Sequence, residues 1–135
     1  IALSFMGEDS EAGRTVAVRL SAKDKAWPFL NLFFWNQGQE QTGYVTDTYL
    51  EKLVVAAGGT AEDAAPRTPS AEEATKLKEI DDLSKALAVS GTPSFAIGKT
   101  GSDPKTYESV PVSGNGSVAE QLIDAVNDFD GNGGV

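Results

Sequence analysis

The residues best placed to do chemistry are Gly91, Thr92 and Pro93, which lie between a long amphipathic stretch and the short apolar run 94–97. A proline where a helix gives way to a buried strand favours one fixed backbone geometry, so we expect this tripeptide to line the edge of a site. Only about one X-Pro bond in twenty is cis in folded proteins, so a trans proline that opens an edge strand is the alternative.

The rest of the composition excludes several kinds of chemistry. The chain contains neither cysteine nor histidine, which rules out Ser-His-Asp and Cys-His catalysis and the commonest zinc sites within these 135 residues. Its 20 acidic and 11 basic residues give a net charge of −9, so nucleic acid is not expected as a partner. No apolar run is long enough to cross a bilayer. We expect no catalytic residue, no metal and no cofactor in the chain.

One motif near the end has the oxygen ligands of a calcium site. Asp128, Asp130 and Asn132, followed by Gly133, match the opening of an EF-hand loop. The bidentate acid at the twelfth position would lie beyond Val135, so the loop does not close within the chain. A polar tail is the favoured alternative, and the sequence leaves open whether these residues begin a calcium loop.

Acidic and basic residues alternate along the stretch after Ser70. Glu72 and Lys76 form an i,i+4 pair, and Glu73, Glu79 and further charges accompany them. Such a pattern is typical of a solvated helix face that contributes tenths of a kcal/mol rather than of an acid–base pair.

Hydrophobic spacing and helix caps predict the order strand, four helices, hairpin and helix. Capping boxes are expected at Ser70 with Glu73 and at Ser117 with Glu120. Thr46 or Asp47 is expected to cap the third helix, and Gly58 with Gly59 to end it. Helical spacing predicts three inward faces, namely Ala12, Val16 and Leu20 in the first helix, Leu77, Ile80, Leu83 and Leu87 in the fourth, and Val118, Leu122, Val126 and Phe129 in the last. The predicted strands cover 1–6, 94–97 and 107–112, and the predicted helices cover about 10–24, 28–38, 46–57, 70–88 and 117–129.

The second of these helices contains an aromatic run from Trp27 to Trp35. Because it is apolar nearly all round, we expect it to be buried on more than one side. A core role is the favoured interpretation of the run, and a peptide-contacting edge at Trp35 or Tyr44 is the alternative.

Four stretches, covering 25–34, 36–40, 43–47 and 86–95, are similar to the motifs of one family. The first has the form K-x-W-x-F-x-x-x-F-F, and the last ends in G-T-P-S-F before the hairpin. Over roughly residues 1–128 the chain resembles the DsbA-like thiol-disulfide oxidoreductases. Each motif alone is weakly specific, and their order and spacing make the resemblance more specific.

The resemblance implies an α/β fold, namely a thioredoxin-like fold with an inserted helical subdomain. Residues 1–130 would form one partial domain with the helical insertion at about 10–88. The cis-proline strand, the hairpin and the last helix would cover about 92–129, and residues 131–135 would be a tail. Pro93 would be the cis-proline, and Gly91, Thr92 and Pro93 would bind an extended peptide or protein substrate.

The chain departs from the family in having no Cys-x-x-Cys motif. That motif follows the family's first strand, whereas this chain begins at what resembles the second strand. We therefore expect an N-terminally truncated fragment, lacking the first strand and the Cys-x-x-Cys helix, that is inactive alone in exchange of protein thiols and disulfides. The parent protein would be extracytoplasmic, in the periplasm or cell envelope. The alternative is a redox-inert peptide-binding or scaffold module of the same fold.

Overall fold

The computed structural model describes residues 8–39, 42–89, 94–114 and 116–132. Within these ranges the chain forms five α-helices, two 3₁₀ turns and one two-stranded sheet, so the expected combination of helices with a sheet is confirmed. The chain divides into two compact units, 1–81 and 82–135. The strand predicted over 1–6 lies outside the described residues. The elements are α1 (Glu8–Ser21), α2 (Ala26–Trp35), α3 (Asp47–Ala56), a 3₁₀ turn (Ala61–Ala64), α4 (Ala71–Ala86), β1 (Phe95–Ile97), a 3₁₀ turn (Pro104–Thr106), β2 (Glu108–Val110) and α5 (Val118–Asn132).

The core of the first unit lies where α1, α2 and α3 meet. The predicted inward face of α1 is confirmed, since Ala12, Val16 and Leu20 are all buried. Gly13 permits the close contact between α1 and α2, because a Cβ atom there would lie 2.5 Å from Cζ of Phe33. The buried cluster comprises Ala12, Val16, Ala17, Leu20, Phe29, Leu30, Phe33, Val45, Leu50, Leu53, Val54, Ala57 and Ala64.

Helix α2 is buried on one side only, so the prediction that it is buried on more than one side is wrong. Phe29, Leu30 and Phe33 form its buried face, whereas Trp27 is 61% exposed and Trp35 is 90% exposed. The three buried side chains form a single arc of the helix surface, and this arc packs against α1 and α3. Leu32 is partly buried at the edge of this core, whereas Trp27, Phe34 and Trp35 face outward, because a helix in contact with neighbours on one side cannot bury the opposite side.

Helix α3 begins and ends where the sequence predicts. The Thr46 side chain accepts a hydrogen bond from the amide of Tyr49 at 3.1 Å, as an N-cap does. At the other end the amides of Gly58 and Gly59 donate to the carbonyls of Val55 and Val54. This pair of bonds is a Schellman motif, and it requires the positive φ of +86° that Gly58 adopts.

Helix α4 has the predicted capping box. The amide of Ser70 donates to Glu73 Oε2 at 2.7 Å, and the amide of Glu73 donates to Ser70 Oγ at 3.3 Å. The predicted inward residues of this helix are only half-buried, and the helix has no fully buried residue. These half-buried residues are Leu77, Ile80, Leu83 and, just after the helix, Leu87.

The second unit contains the predicted hairpin. β1 and β2 pair antiparallel, with Phe95 opposite Val110 and Ile97 opposite Glu108. Each strand has three residues. β2 is shorter than the predicted 107–112, because pairing begins at Glu108, shortly after a 3₁₀ turn, and stops at Val110.

Helix α5 contacts β1, but through a narrower face than predicted. Leu122, Ala125 and Phe129 are half-buried at i, i+3 and i+7. Val118 and Val126, which were expected inside, are 43% and 48% exposed. Throughout the described ranges, no helix combines the length and the apolar character that crossing a bilayer requires.

Candidate functional site

Gly91, Thr92 and Pro93 lie outside the described residues, so neither their geometry nor the isomer at Pro93 is assigned. The residues before them close α4, because the amides of Ala88 and Val89 donate to the carbonyls of Lys85 and Ser84, both at 3.1 Å. β1 begins at Phe95. The tripeptide therefore falls between a closed helix end and the first residue of a paired strand. The cis peptide bond found among the described residues is Ala65–Pro66.

An open groove of about 350 Å³ lies within the second unit between the hairpin and α5. Its apolar part is formed by Ile97, Val110 and Phe129, and Lys99, Glu108 and Asp128 contribute charged groups of both signs. The volume is at the lower end of the range for ligand pockets, about 300–1,000 Å³. The groove can accept an apolar side chain with a polar neighbour, and its potential nucleophiles, the Lys99 amine and the Ser109 hydroxyl, have no histidine in the chain to activate them. Ser109, Pro111 and Ala125 complete its lining.

A cluster of four charged side chains, Arg19, Lys23, Asp63 and Glu73, forms a second candidate site in the first unit. Arg19 Nε and Nη2 donate to the two carboxylate oxygens of Glu73 at 2.7 and 3.2 Å. The same guanidinium donates to the backbone carbonyls of Asp63 at 3.0 Å and Pro66 at 2.9 Å. Lys23 Nζ lies 2.6 Å from Asp63 Oδ1. We call these four residues the Arg19 cluster.

Both acids of the Arg19 cluster are held in the charged form. The hydrogen bond from Lys23, and then that from the Thr60 amide, lower the pKa of Asp63. The hydrogen bond from Arg19 is the main cause that lowers the pKa of Glu73, and the Ser70 amide adds to it. Carboxylates with lowered pKa values and occupied oxygens are poor proton donors and poor bases at neutral pH, so the cluster is not a catalytic centre. Its hydrogen bonds instead connect α1 and the residues just after it to the 3₁₀ turn and to α4.

Arg14 is a buried cation outside this cluster. It is 5% exposed, pairs with Asp81, and donates from Nη2 to the Leu77 carbonyl at 3.0 Å. Its Nε is buried without a hydrogen-bond partner in the described part of the chain. The two groups that accept hydrogen bonds from Arg14, on Leu77 and Asp81, both belong to α4, so Arg14 joins α1 to α4.

The calcium hypothesis for Asp128, Asp130 and Asn132 is contradicted by the backbone. α5 continues as a helix to Asn132, whereas an EF-hand requires these positions to form a loop around the ion. Among the residues described, no group of three potential metal-ligating side chains comes together.

The charge pattern of α4 was interpreted correctly in one part and wrongly in another. Glu72 and Lys76 form the predicted exposed pair at 3.0 Å. Glu73 was predicted to be solvated, but its side chain is only 14% exposed because Arg19 covers it. The two residues are 54 positions apart, and nothing in the local spacing indicates that they meet.

Two contacts of the polar segment 36–45 were not predicted. Asp9 in α1 accepts hydrogen bonds from the amides of Gly43 at 3.0 Å and Val45 at 3.3 Å. Tyr44, one of the two residues proposed as a peptide-contacting edge, packs edge to face on Tyr49 at 5.4 Å and is half-buried. Burial, and then the neighbouring Tyr44, raise the pKa of Tyr49. The other proposed residue, Trp35, is exposed.

Comparison with known proteins assigns no family. No family model, no curated protein and no solved structure matches this chain.

Proposed function

We propose that this chain is part of a DsbA-like thiol-disulfide oxidoreductase with a thioredoxin-like fold and an inserted helical subdomain. Its role would be to hold an extended peptide or protein substrate at Gly91, Thr92 and Pro93. The parent protein would act in an extracytoplasmic compartment, where disulfides persist.

The observation that carries this proposal is the hairpin that directly follows the tripeptide. β1 begins two residues after Pro93, pairs antiparallel with β2, and contacts α5. A largely helical unit precedes this strand–strand–helix arrangement. The order agrees with what the sequence resemblance implies for the cis-proline strand and the elements after it.

The chemistry would be thiol-disulfide exchange, in which a thiolate attacks a substrate disulfide, one S–S bond forms, and a second thiolate leaves. The chain contains one methionine and no cysteine, so none of its own atoms can perform this step. The proposal therefore requires a Cys-x-x-Cys motif outside these 135 residues. This chain would contribute substrate contacts and the surrounding fold.

The decisive experiment is to read the coding sequence upstream of Ile1 and to assay the longest encoded protein for insulin reduction by dithiothreitol. We expect a Cys-x-x-Cys roughly 30–45 residues before Ile1, a spacing that allows for one helix and a turn. Pro93→Ala in that protein should lower the rate at least about tenfold, whereas Pro69→Ala, in the exposed connector before α4, should leave the rate unchanged.

Insulin reduction by the 135-residue chain alone would contradict the proposal. An upstream strand and helix without cysteines would also contradict it. In that case the second candidate, a redox-inert peptide-binding or scaffold module, would be favoured by the absence of cysteine from the chain.

A further inference from the structure

The groove between the hairpin and α5 has an apolar part that is only partly covered by the chain. Ile97 of β1, Val110 of β2 and Phe129 of α5 line it, and all three residues are half-buried. Ala125, one helical turn before Phe129, is half-buried as well. Apolar surface from three elements is therefore open to a ligand at one place. We call this groove, whose lining is given above, the hairpin groove.

Three exposed charged side chains, Lys99, Glu108 and Asp128, line the same groove. Glu108 lies opposite Ile97 in the β1–β2 ladder, and Asp128 directly precedes Phe129 in α5. Across the described ranges, no hydrogen bond or ion pair engages any of these three charged groups. A ligand can therefore meet one amine and two carboxylates beside an apolar surface without breaking an existing ion pair.

Hydrogen bonds outside the hairpin groove hold its walls in place. The Gln121 side chain in α5 accepts a bond from the Ser113 amide at 2.8 Å and donates to the Ser113 carbonyl at 3.3 Å, which ties the chain after β2 to α5. On the other wall, Ser102 donates to the Lys99 carbonyl from its amide at 3.0 Å and from Oγ at 2.7 Å. The groove is thus formed before a ligand binds, which lowers the ordering cost of binding.

We propose that the hairpin groove binds a free α-amino acid with an apolar side chain, such as phenylalanine or leucine. The ligand's side chain would cover the apolar part of the groove. Its α-ammonium group would meet Glu108 and Asp128, and its carboxylate would meet Lys99. A volume of about 350 Å³ holds roughly a dozen groups of about 30 Å³, the share of one water molecule, and phenylalanine has about a dozen non-hydrogen atoms. This inference does not depend on the proposed redox function.

The groups that line the groove distinguish this ligand from other occupants. An uncharged apolar molecule would dehydrate the three charged groups without pairing them, which is costly. A simple amine would leave Lys99 beside a second cation. The residues outside the described ranges include no lysine or arginine, so these stretches offer no side-chain cation to Glu108 and Asp128. A protein partner, including a second copy, needs about 20–30 residues a side, whereas nine residues line the groove.

The test titrates the full chain with L-phenylalanine and follows the assigned backbone amide signals by NMR. A ligand of this size binds with a dissociation constant on the order of 1 mM, so the titration extends to about 20 mM. We expect saturable shifts of amides in 97–110 and 125–129. Three analogues each lack one group: glycine lacks the apolar side chain, 2-phenylethylamine the carboxylate, and 3-phenylpropionate the ammonium group. Each should bind at least about threefold more weakly than phenylalanine.

Variants assign each charge of the groove to a group of the ligand. Lys99→Gln should weaken binding of phenylalanine about threefold without weakening that of 2-phenylethylamine, because this analogue has no carboxylate. Asp128→Asn should weaken binding of phenylalanine and 2-phenylethylamine without weakening that of 3-phenylpropionate. Lys105→Gln and Asp124→Asn are the matched controls, since both residues are exposed and lie outside the lining, and they should change each dissociation constant less than about 1.5-fold.

Several results would overturn the proposal. The first is the absence of amide shifts at the highest phenylalanine concentration, or shifts that lie only outside the groove. The second is binding of any of the three analogues as tightly as phenylalanine. The third is an equal effect of the groove variants and their controls on phenylalanine binding. An Asp128-dependent dimer in sedimentation of the chain alone would also overturn it, since it would assign the groove to a second copy.

Discussion

Replacing Arg19 with methionine tests whether the Arg19 cluster stabilises the first unit. Methionine keeps most of the length and apolar stem of the side chain but removes the charge and all four hydrogen bonds of the guanidinium. Glu73 then loses the partner that holds it ionised at 14% exposure. The carbonyls of Asp63 and Pro66 lose a donor as well.

The structure sets the expected loss of stability. Removing one partner of a buried ion pair costs about 3–5 kcal/mol, because the other charge stays behind without compensation. Both side chains of the Arg19–Glu73 pair are 14% exposed, and Glu73 keeps its bond from the Ser70 amide, so we take the lower end of that range. A loss of about 3 kcal/mol is a more than hundredfold change in the unfolding constant and a large part of a typical stability of about 5–15 kcal/mol.

Urea unfolding followed by far-ultraviolet circular dichroism measures this loss, because the first unit is largely helical, whereas both tryptophans are already exposed in the folded chain. Urea is uncharged and leaves ion pairs unscreened. Lys76→Met is the matched control, since the Lys76–Glu72 pair is exposed and should contribute at most about 0.5 kcal/mol. If Arg19→Met lowers the unfolding free energy no more than Lys76→Met does, the cluster has no stabilising role and our account of it is refuted.

Three further predictions concern the pH dependence of the Arg19 cluster, the residues with positive φ at two helix ends, and the hydroxyl of Tyr49. The pKa values of Asp63 and Glu73 are held below their ordinary values of 3.8 and 4.5, so their stabilisation is complete above about pH 4.5 and is lost as the pH falls through the lower folded-state values. Urea midpoints of the first unit should therefore be constant from pH 7 to 5 and drop toward pH 3. A Glu73→Gln variant should start from a lower midpoint and drop less, and a parallel drop would contradict the assignment. Ala88 has a φ of +50° at the end of α4, so Ala88→Gly should raise the unfolding free energy of its unit by about 0.5–1 kcal/mol, whereas Gly58→Ala should lower that of the first unit by about 1–2 kcal/mol. Thermal melts by circular dichroism test both signs, and destabilisation by Ala88→Gly would disprove the strained-cap interpretation. Tyr49→Phe removes the hydroxyl that donates to the Asn36 carbonyl at 3.0 Å and should cost about 1 kcal/mol in urea unfolding, and an unchanged free energy of unfolding would contradict a stabilising role for this bond.

Features encoded within a few neighbouring residues were predicted well. The Thr46 cap, the Ser70–Glu73 capping box and the glycine end of α3 all involve bonds between residues at most five positions apart. The hairpin was predicted because its two short strands lie close together in the sequence, although the connection between them, residues 98–107, is longer than a tight turn. Such features depend on local geometry, and tertiary packing did not alter them.

The candidate sites were predicted less completely. The tripeptide 91–93 was singled out from its position between a helix and a strand, and the described residues on either side agree with that position. The groove beside α5 was not predicted, because it needs Ile97, Val110 and Phe129 to converge from three elements. The calcium hypothesis failed because a ligand pattern in the sequence does not reveal that the backbone carrying it continues as a helix.

The sequence by itself determined the chemical limits and the local elements of this protein. A chain with no cysteine or histidine cannot perform thiol or imidazole chemistry with its own side chains, whatever its fold. Only the tertiary structure decided which side of α2 is buried and that Glu73 meets Arg19 rather than water. Periodicity shows that a helix is apolar or charged, but burial is a property of the neighbour that packs against it, and that neighbour comes from a distant part of the chain.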